Sequence, residues 1–212
     1  MRGIRIIWVA GLLVAGTATV AGAMYTPNPA GRWEANHVFV AGDLQYNGNK
    51  DLDSPSTEVD DEVGLYARLS YAFMENATVY GRIGMQDADH LEAQFALGGG
   101  IQAAWALPQA RDWAIGGAFD VLWWNAEFNN GADIDYTEIQ LAPAVSYNFP
   151  AARYVTPYAG LAFDFVTGDF DEDDPVGILF GANFDLDKHW RLDAQVRLIS
   201  EDGLFMSAGY MF

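Results

Sequence analysis

Nine charged side chains recur within otherwise apolar stretches of this chain: Arg68, Arg82, Asp120, Glu138, Asp164, Asp185, Arg191, Asp193 and Arg197. Gathered on one face, charges of both signs can serve two kinds of chemistry. Paired and hydrogen-bonded, they form a structural network that must satisfy itself away from water. Left hydrated around a passage, they set which ions go through. The structural network is the expected use. Small residues in the same series, among them Gly84, Gly98, Gly100, Ala114, Gly116 and Ala118, keep the second use open.

Acid–base and nucleophilic chemistry have less to work with. The histidines are His37, His90 and His189, and they fall in a first strand, a short loop and a tight turn. Ser70 is expected far from all three. No G-x-S-x-G or H-E-x-x-H pattern occurs. Neither an enzymatic activity nor a cofactor is therefore expected, although convergence of His37 with a serine and a carboxylate would argue otherwise. In GDFDEDDPVG, Asp169, Asp171 and Asp173 have the spacing that opens an EF-hand loop. Asp174 stands where that loop needs Gly, however, and Phe180 where it needs a bidentate Glu. A solvated acidic loop is expected, with no defined metal site. Diffuse binding of divalent cations by the loop carboxylates is the weaker alternative. The chain has no Cys, so disulfides and thiolate ligands do not arise.

The elements that must position the nine charges alternate with period two. In residues 63–73, VGLYARLSYAF, Val63, Leu65, Ala67, Leu69, Tyr71 and Phe73 take one face; Gly64, Tyr66, Arg68, Ser70 and Ala72 take the other. Successive side chains of an extended strand point oppositely, so these are two faces of one strand. The pattern returns through 78–86, 94–105, 113–123, 138–149, 155–165, 176–186, 190–198 and 204–212, and more weakly in 36–46. That makes about ten strands, with eight possible, each near or above the length of a tilted membrane strand. Every one of the nine charges falls on the less apolar face. The expected fold is all-β: a closed, antiparallel, up-and-down transmembrane barrel, apolar towards lipid and polar towards its lumen. A soluble sandwich with the opposite polarity is the competing fold.

Connections and aromatics agree with a barrel. Short turns at 74–76, 107–112, 149–153 and 186–189 alternate with longer, mostly acidic links, chiefly 47–62. Phe73, Trp105, Trp113, Phe149 and Trp190 fall at strand ends beside the short turns, and Trp123 near the opposite rim, where headgroup-level girdles belong.

The 212 residues carry a formal charge of −18, yet 51% of them are hydrophobic. An acidic balance of this size argues against a nucleic-acid partner, and the apolar content against disorder. Arg2 and Arg5 precede an apolar run from Ile6 to Val14, and Ala21-Gly22-Ala23 offers a small-x-small cleavage site. Residues 1–23 read as a signal peptide; a retained membrane helix is the competing reading. The expected organisation continues with an N-terminal periplasmic segment at 24–34 and the barrel domain at 35–212.

The final residues, LFMSAGYMF, alternate up to an aromatic terminus. With the signal peptide and the amphipathic strands, they resemble the small outer-membrane β-barrel families of Gram-negative bacteria, the OmpA/OmpX-like group. The resemblance implies a location in the cell outer membrane and contact with its lipid and lipopolysaccharide; an appended peptidoglycan-binding domain is not expected. It also implies that Met206, Ala208, Tyr210 and Phe212 form a C-terminal signal read by the barrel-assembly machinery. The expected function is a structural or surface-interaction role with a largely filled lumen. A narrow porin for ions or small solutes is the alternative, and a barrel enzyme acting on lipid or peptide is further behind.

Overall fold

The computed structural model describes residues 25–31, 33–48, 50–51, 58–59, 62–88, 94–127, 133–168, 176–198 and 203–212. The expected signal peptide at 1–23, His90 and the acidic run at 169–174 lie outside the described residues. The strands are β1 (His37–Asn47), β2 (Lys50–Asp51), β3 (Glu58–Val59), β4 (Glu62–Met74), β5 (Ala77–Ala88) and β6 (Gln94–Leu107). They continue with β7 (Ala110–Glu127), β8 (Asp133–Tyr147), β9 (Val155–Gly168), β10 (Val176–Asp185), β11 (Trp190–Leu198) and β12 (Gly203–Met211). The two-residue strands β2 and β3 pair only with each other, in the link between β1 and β4. The other ten form one closed barrel in the order β1-β12-β11-β10-β9-β8-β7-β6-β5-β4, each antiparallel to its neighbours. Ten strands, not eight, is the count.

Closure is made by the last strand. β12 pairs with β1 from Phe39↔Met211 to Asn47↔Gly203, and the Phe212 N–H continues the ladder to the Val38 carbonyl at 2.9 Å. No edge of the main sheet is left to recruit another strand.

Period-two patterning decides which way each strand faces. Along β4 the side chains alternate between buried and exposed from Glu62 to Phe73. The exposed series is apolar: Leu65 is 64% exposed and Leu69 58%. The buried series contains Tyr66, Arg68 and Ser70. A soluble sandwich buries its aliphatic face and wets its charges, so the competing fold fails on both sides at once. The aromatics Phe73, Trp105, Trp113, Trp123, Phe149 and Trp190 all stand on the exposed outer face. Five lie at or beside the short-turn end and Trp123 lies in the other half of β7.

The chain ahead of β1 departs from expectation. Residues 24–34 read as a periplasmic segment lying outside the barrel, but residues 25–31 are buried within the lumen. The expectation is corrected for them, and the reason is chemical. Pro27 and Pro29 cannot donate to a ladder, and the segment carries no charge. Its polar groups find partners on the lumen wall instead. The chain leaves the lumen past Trp33, whose ring lies 5.2 Å from that of Phe39. It then turns into β1 through Asn36 at φ 64°, a left-handed conformation that Asn tolerates better than most residues. The Asn36 N–H is held by the Ala72 carbonyl at 2.6 Å.

Candidate functional site

The lumen gathers the predicted charges into layers. Arg68 on β4 donates through Nε and Nη2 to Asp43 on β1, at 2.7 and 2.9 Å. Its Nη2 also reaches the Ser207 hydroxyl on β12 at 3.0 Å. One step around the wall, Arg82 on β5 lies 3.8 Å from Asp120 on β7. Arg197 on β11 pairs with Asp164 on β9, whose other oxygen accepts from Gln140 at 2.7 Å. All these side chains are buried, as are Glu138 and Asp193. The last predicted pair, Arg191 and Asp185, meets at 2.5 Å but is only half-buried, because it sits at the short-turn mouth. All nine predicted residues therefore face inwards, seven of them deep and two at the rim.

Three participants escape a reading of the sequence. Asp43, the tightest partner of Arg68, lies on β1, where alternation is weakest. Phe39 occupies the same inward face and interrupts any polar series there. Glu62 opens β4 and accepts from Gln45 at 3.2 Å and Asn47 at 2.8 Å, all three buried. The third is the 25–31 segment, which has no periodicity to announce it.

That segment ties the layers together. The Tyr25 hydroxyl donates to Asp193 at 2.9 Å, alongside the Tyr158 hydroxyl at the same distance. The Tyr25 carbonyl accepts from Arg82 at 2.7 Å, and its N–H donates to Gln45 at 3.3 Å. The Thr26 hydroxyl lies 3.0 Å from Asp120 and also contacts Gln140. Asn28 contacts Asn183, and the Ala30 carbonyl accepts from Ser146 at 3.0 Å. Apolar contacts complete the filling. The Tyr25 ring stacks on Phe205 at 5.7 Å, and Ala30 packs with Ala142, Ala144 and Ala162. Inside the barrel Arg197, Tyr25, Tyr66, Phe205, Leu122 and Leu179 are each less than 2% exposed. Space opens again at the short-turn mouth. A cavity of about 370 Å³ there is lined by Trp33, Asp185, His189, Trp190 and Arg191, with the Arg191 guanidinium 4.7 Å above the Trp33 ring.

The histidines are drawn into local structure. His37 is inward by parity but sits at the rim, with Nδ1 3.1 Å from the Ala35 carbonyl and Nε2 3.7 Å from Glu34. Ser70 is nearer to it than expected: it pairs with Phe39, two residues along β1 from His37. The Ser70 hydroxyl, however, accepts from Arg68 at 3.4 Å. His189 stacks on Tyr210 at 5.2 Å in the β10–β11 turn. Among the described residues no group of three or more His, Asp or Glu side chains could hold a metal ion. At the C-terminus Met206 and Phe212 are exposed on the outer face, Ala208 shares that face, and Tyr210 is half-buried among the rings of His189, Trp190 and Phe212.

The fold and the inward charge network define a small, closed, antiparallel up-and-down barrel of the kind that the OmpA/OmpX-like resemblance implies. Solved structures share this fold at low sequence identity. An outer-membrane channel from Pseudomonas putida F1 superposes with a TM-score of 0.54 at 12% identity, over 89% of this chain and 100% of that one. The β-domain of the Bordetella autotransporter BrkA does so with a TM-score of 0.51 at 14% identity, over 84% and 99%. At such identities the likeness extends to the fold alone. No protein-family model and no curated protein matches this sequence.

Proposed function

We propose that this chain is an integral protein of the Gram-negative outer membrane, exported through a cleaved signal peptide. Its barrel crosses the lipid and is closed inside by side chains and by residues 25–31. It serves a structural or surface-interaction role, with any recognition carried by its acidic outer loops, and it is not an enzyme. The observation that carries the reading is the outer face: aliphatic and aromatic side chains stand exposed around the whole barrel while arginines and carboxylates are buried within. In water so continuous an apolar surface would drive aggregation or association. In a bilayer it is the side that lipid solvates, and the closed ladder of ten strands meets the other demand of the hydrocarbon region, that no sheet edge be left open.

Two measurements test this. Refolded protein should float with phospholipid vesicles and migrate faster on a denaturing gel when unheated than when boiled. A polypeptide that stayed monomeric and soluble without detergent would overturn the reading. The packing of buried side chains inside the barrel also favours a closed barrel over a narrow porin. Planar-bilayer recordings of the full chain should show only background, and steady conductance would favour the porin.

A further inference from the structure

We propose that residues 25–31 are a removable plug, and that the lumen they vacate is a cation-selective passage. The inference rests on the reading of the barrel as membrane-spanning, and it concerns what the lumen does when the segment leaves.

The segment is attached as a guest, not built in as wall. With Pro27 and Pro29 it cannot enter the strand ladder. Among the described residues, apart from the Gly31 N–H to the Asn28 carbonyl, a turn within the segment itself, its hydrogen bonds run to side chains. Those wall groups are carboxylates, a guanidinium, amides and a hydroxyl, which water satisfies as readily as peptide does. Departure of the segment therefore leaves them hydrated, not stranded. The strands that close the barrel make none of their ladder bonds to it.

The wall is also shaped around it. A Cβ at Gly116 would lie 2.5 Å from the Pro29 carbonyl oxygen, so the chain passes directly over the one side chain that β7 omits there. The alanines at 142, 144 and 162 continue this shallow channel across β8 and β9, with Ala30 in it. Of the inward small residues that leave a pore open in the sequence, Gly116 thus has this segment as its occupant, while the wall side chains Tyr66, Leu122 and Tyr80 cover Gly84, Gly98 and Gly100. Without the segment, Gly116 and the alanines at 142, 144 and 162 line empty space on the way to the 370 Å³ vestibule at the short-turn mouth.

Charge sets the selectivity. Among the described residues, six buried carboxylic side chains face three buried arginines, Arg68, Arg82 and Arg197. Two of the carboxylates, Asp120 and Asp193, are groups that Thr26 and Tyr25 cover. Removing an uncharged segment uncovers the Arg82 guanidinium along with these two carboxylates and leaves the acidic excess of the lumen unchanged, so a hydrated passage here attracts cations and repels anions.

The test is a planar bilayer with unequal KCl on its two sides, using the full chain and the full chain lacking residues 25–31. Vesicle flotation and the unheated gel shift are read first for both. The expected result is background current from the parent and steady ohmic conductance from the deletion, with the reversal potential displaced towards that of K⁺. A peptide of the deleted residues, added on the short-turn side, should lower that conductance. Should the deletion fail to refold, the chain carrying Tyr25→Ala, Thr26→Ala and Asn28→Ala removes the three anchoring side chains at unchanged length. It should open at least intermittently. An inserted, gel-shifted variant that stays silent overturns the plug, as does a parent that conducts equally. A displacement towards Cl⁻ overturns the selectivity. If neither chain floats with vesicles, the membrane reading itself has failed, and the plug falls with it.

Discussion

The Arg68 guanidinium and the Asp43 carboxylate meet side-on, Nε to Oδ2 at 2.7 Å and Nη2 to Oδ1 at 2.9 Å, joining β4 to β1 deep in the lumen. Both are almost wholly inaccessible. This two-point geometry suits a planar guanidinium and fixes both side chains. Asp43→Ala would leave Arg68 buried beside the rings of Tyr25 and Phe39 without its counter-charge. The expected loss is about 3–5 kcal/mol, the usual result of breaking one side of a buried pair. The double variant Arg68→Met with Asp43→Leu removes both charges and should lose less than the single one. Urea unfolding of the three proteins in the same detergent measures the difference.

The outer face makes a depth-dependent prediction. Leu69 stands 58% exposed near the middle of β4, paired with Val40 and Gly81; Met74 is similarly exposed at the strand's short-turn end. Arginine at a bilayer midplane costs about 2–4 kcal/mol and near an interface about 0–1. Leu69→Arg should therefore destabilise the refolded barrel in lipid vesicles far more than Met74→Arg. Equal effects of the two substitutions would show that lipid does not bathe this face.

How much of this was legible follows from what repeats. The strands and their faces could be read because every second residue answers to a different medium, so eleven residues of β4 declare both the element and its orientation. The nine inward charges followed from parity alone. Their partners did not, because which residue meets Arg68 depends on the register between β1 and β4, and β1 carries Phe39 on the face where polarity was expected. The in-lumen segment left no trace: YTPNPAG has neither period nor charge. Its prolines, which argue only against a ladder, fit an exposed linker as well as a plug. The one sequence hint was indirect, in the many small inward residues of β7 to β9.

Phe212 separates folding from assembly. Its N–H completes the ladder to Val38, while its ring is 68% exposed and touches Tyr210 edge-on at 4.9 Å. Truncating an exposed ring that leaves the backbone bond in place should shift the stability of the refolded barrel by no more than about 0.5 kcal/mol. If the terminal aromatic is read by assembly machinery, Phe212→Ala should nevertheless reduce the amount of barrel reaching the outer membrane of cells. Unchanged membrane yield, measured by fractionation and the unheated gel shift, would remove that role.

Asp187 gives the short-turn end a dependence on pH. Its carboxylate accepts from the Trp190 N–H at 2.8 Å and the His189 N–H at 2.7 Å, closing the turn between β10 and β11. These two bonds, that from Trp190 foremost, hold its pKa below the ordinary carboxylate value. A group whose folded-state pKa is depressed contributes stability above its unfolded-state pKa and loses it as pH falls through the folded-state one. The unfolding rate should therefore rise on acidification within and just below the usual carboxylate range, with the turn contributing part of that rise. An amide oxygen accepts the same two bonds without titrating, so Asp187→Asn should flatten this component while leaving the neutral-pH rate nearly unchanged. Profiles of parent and variant that run parallel from neutral to acid pH would show that the turn contributes nothing to acid sensitivity.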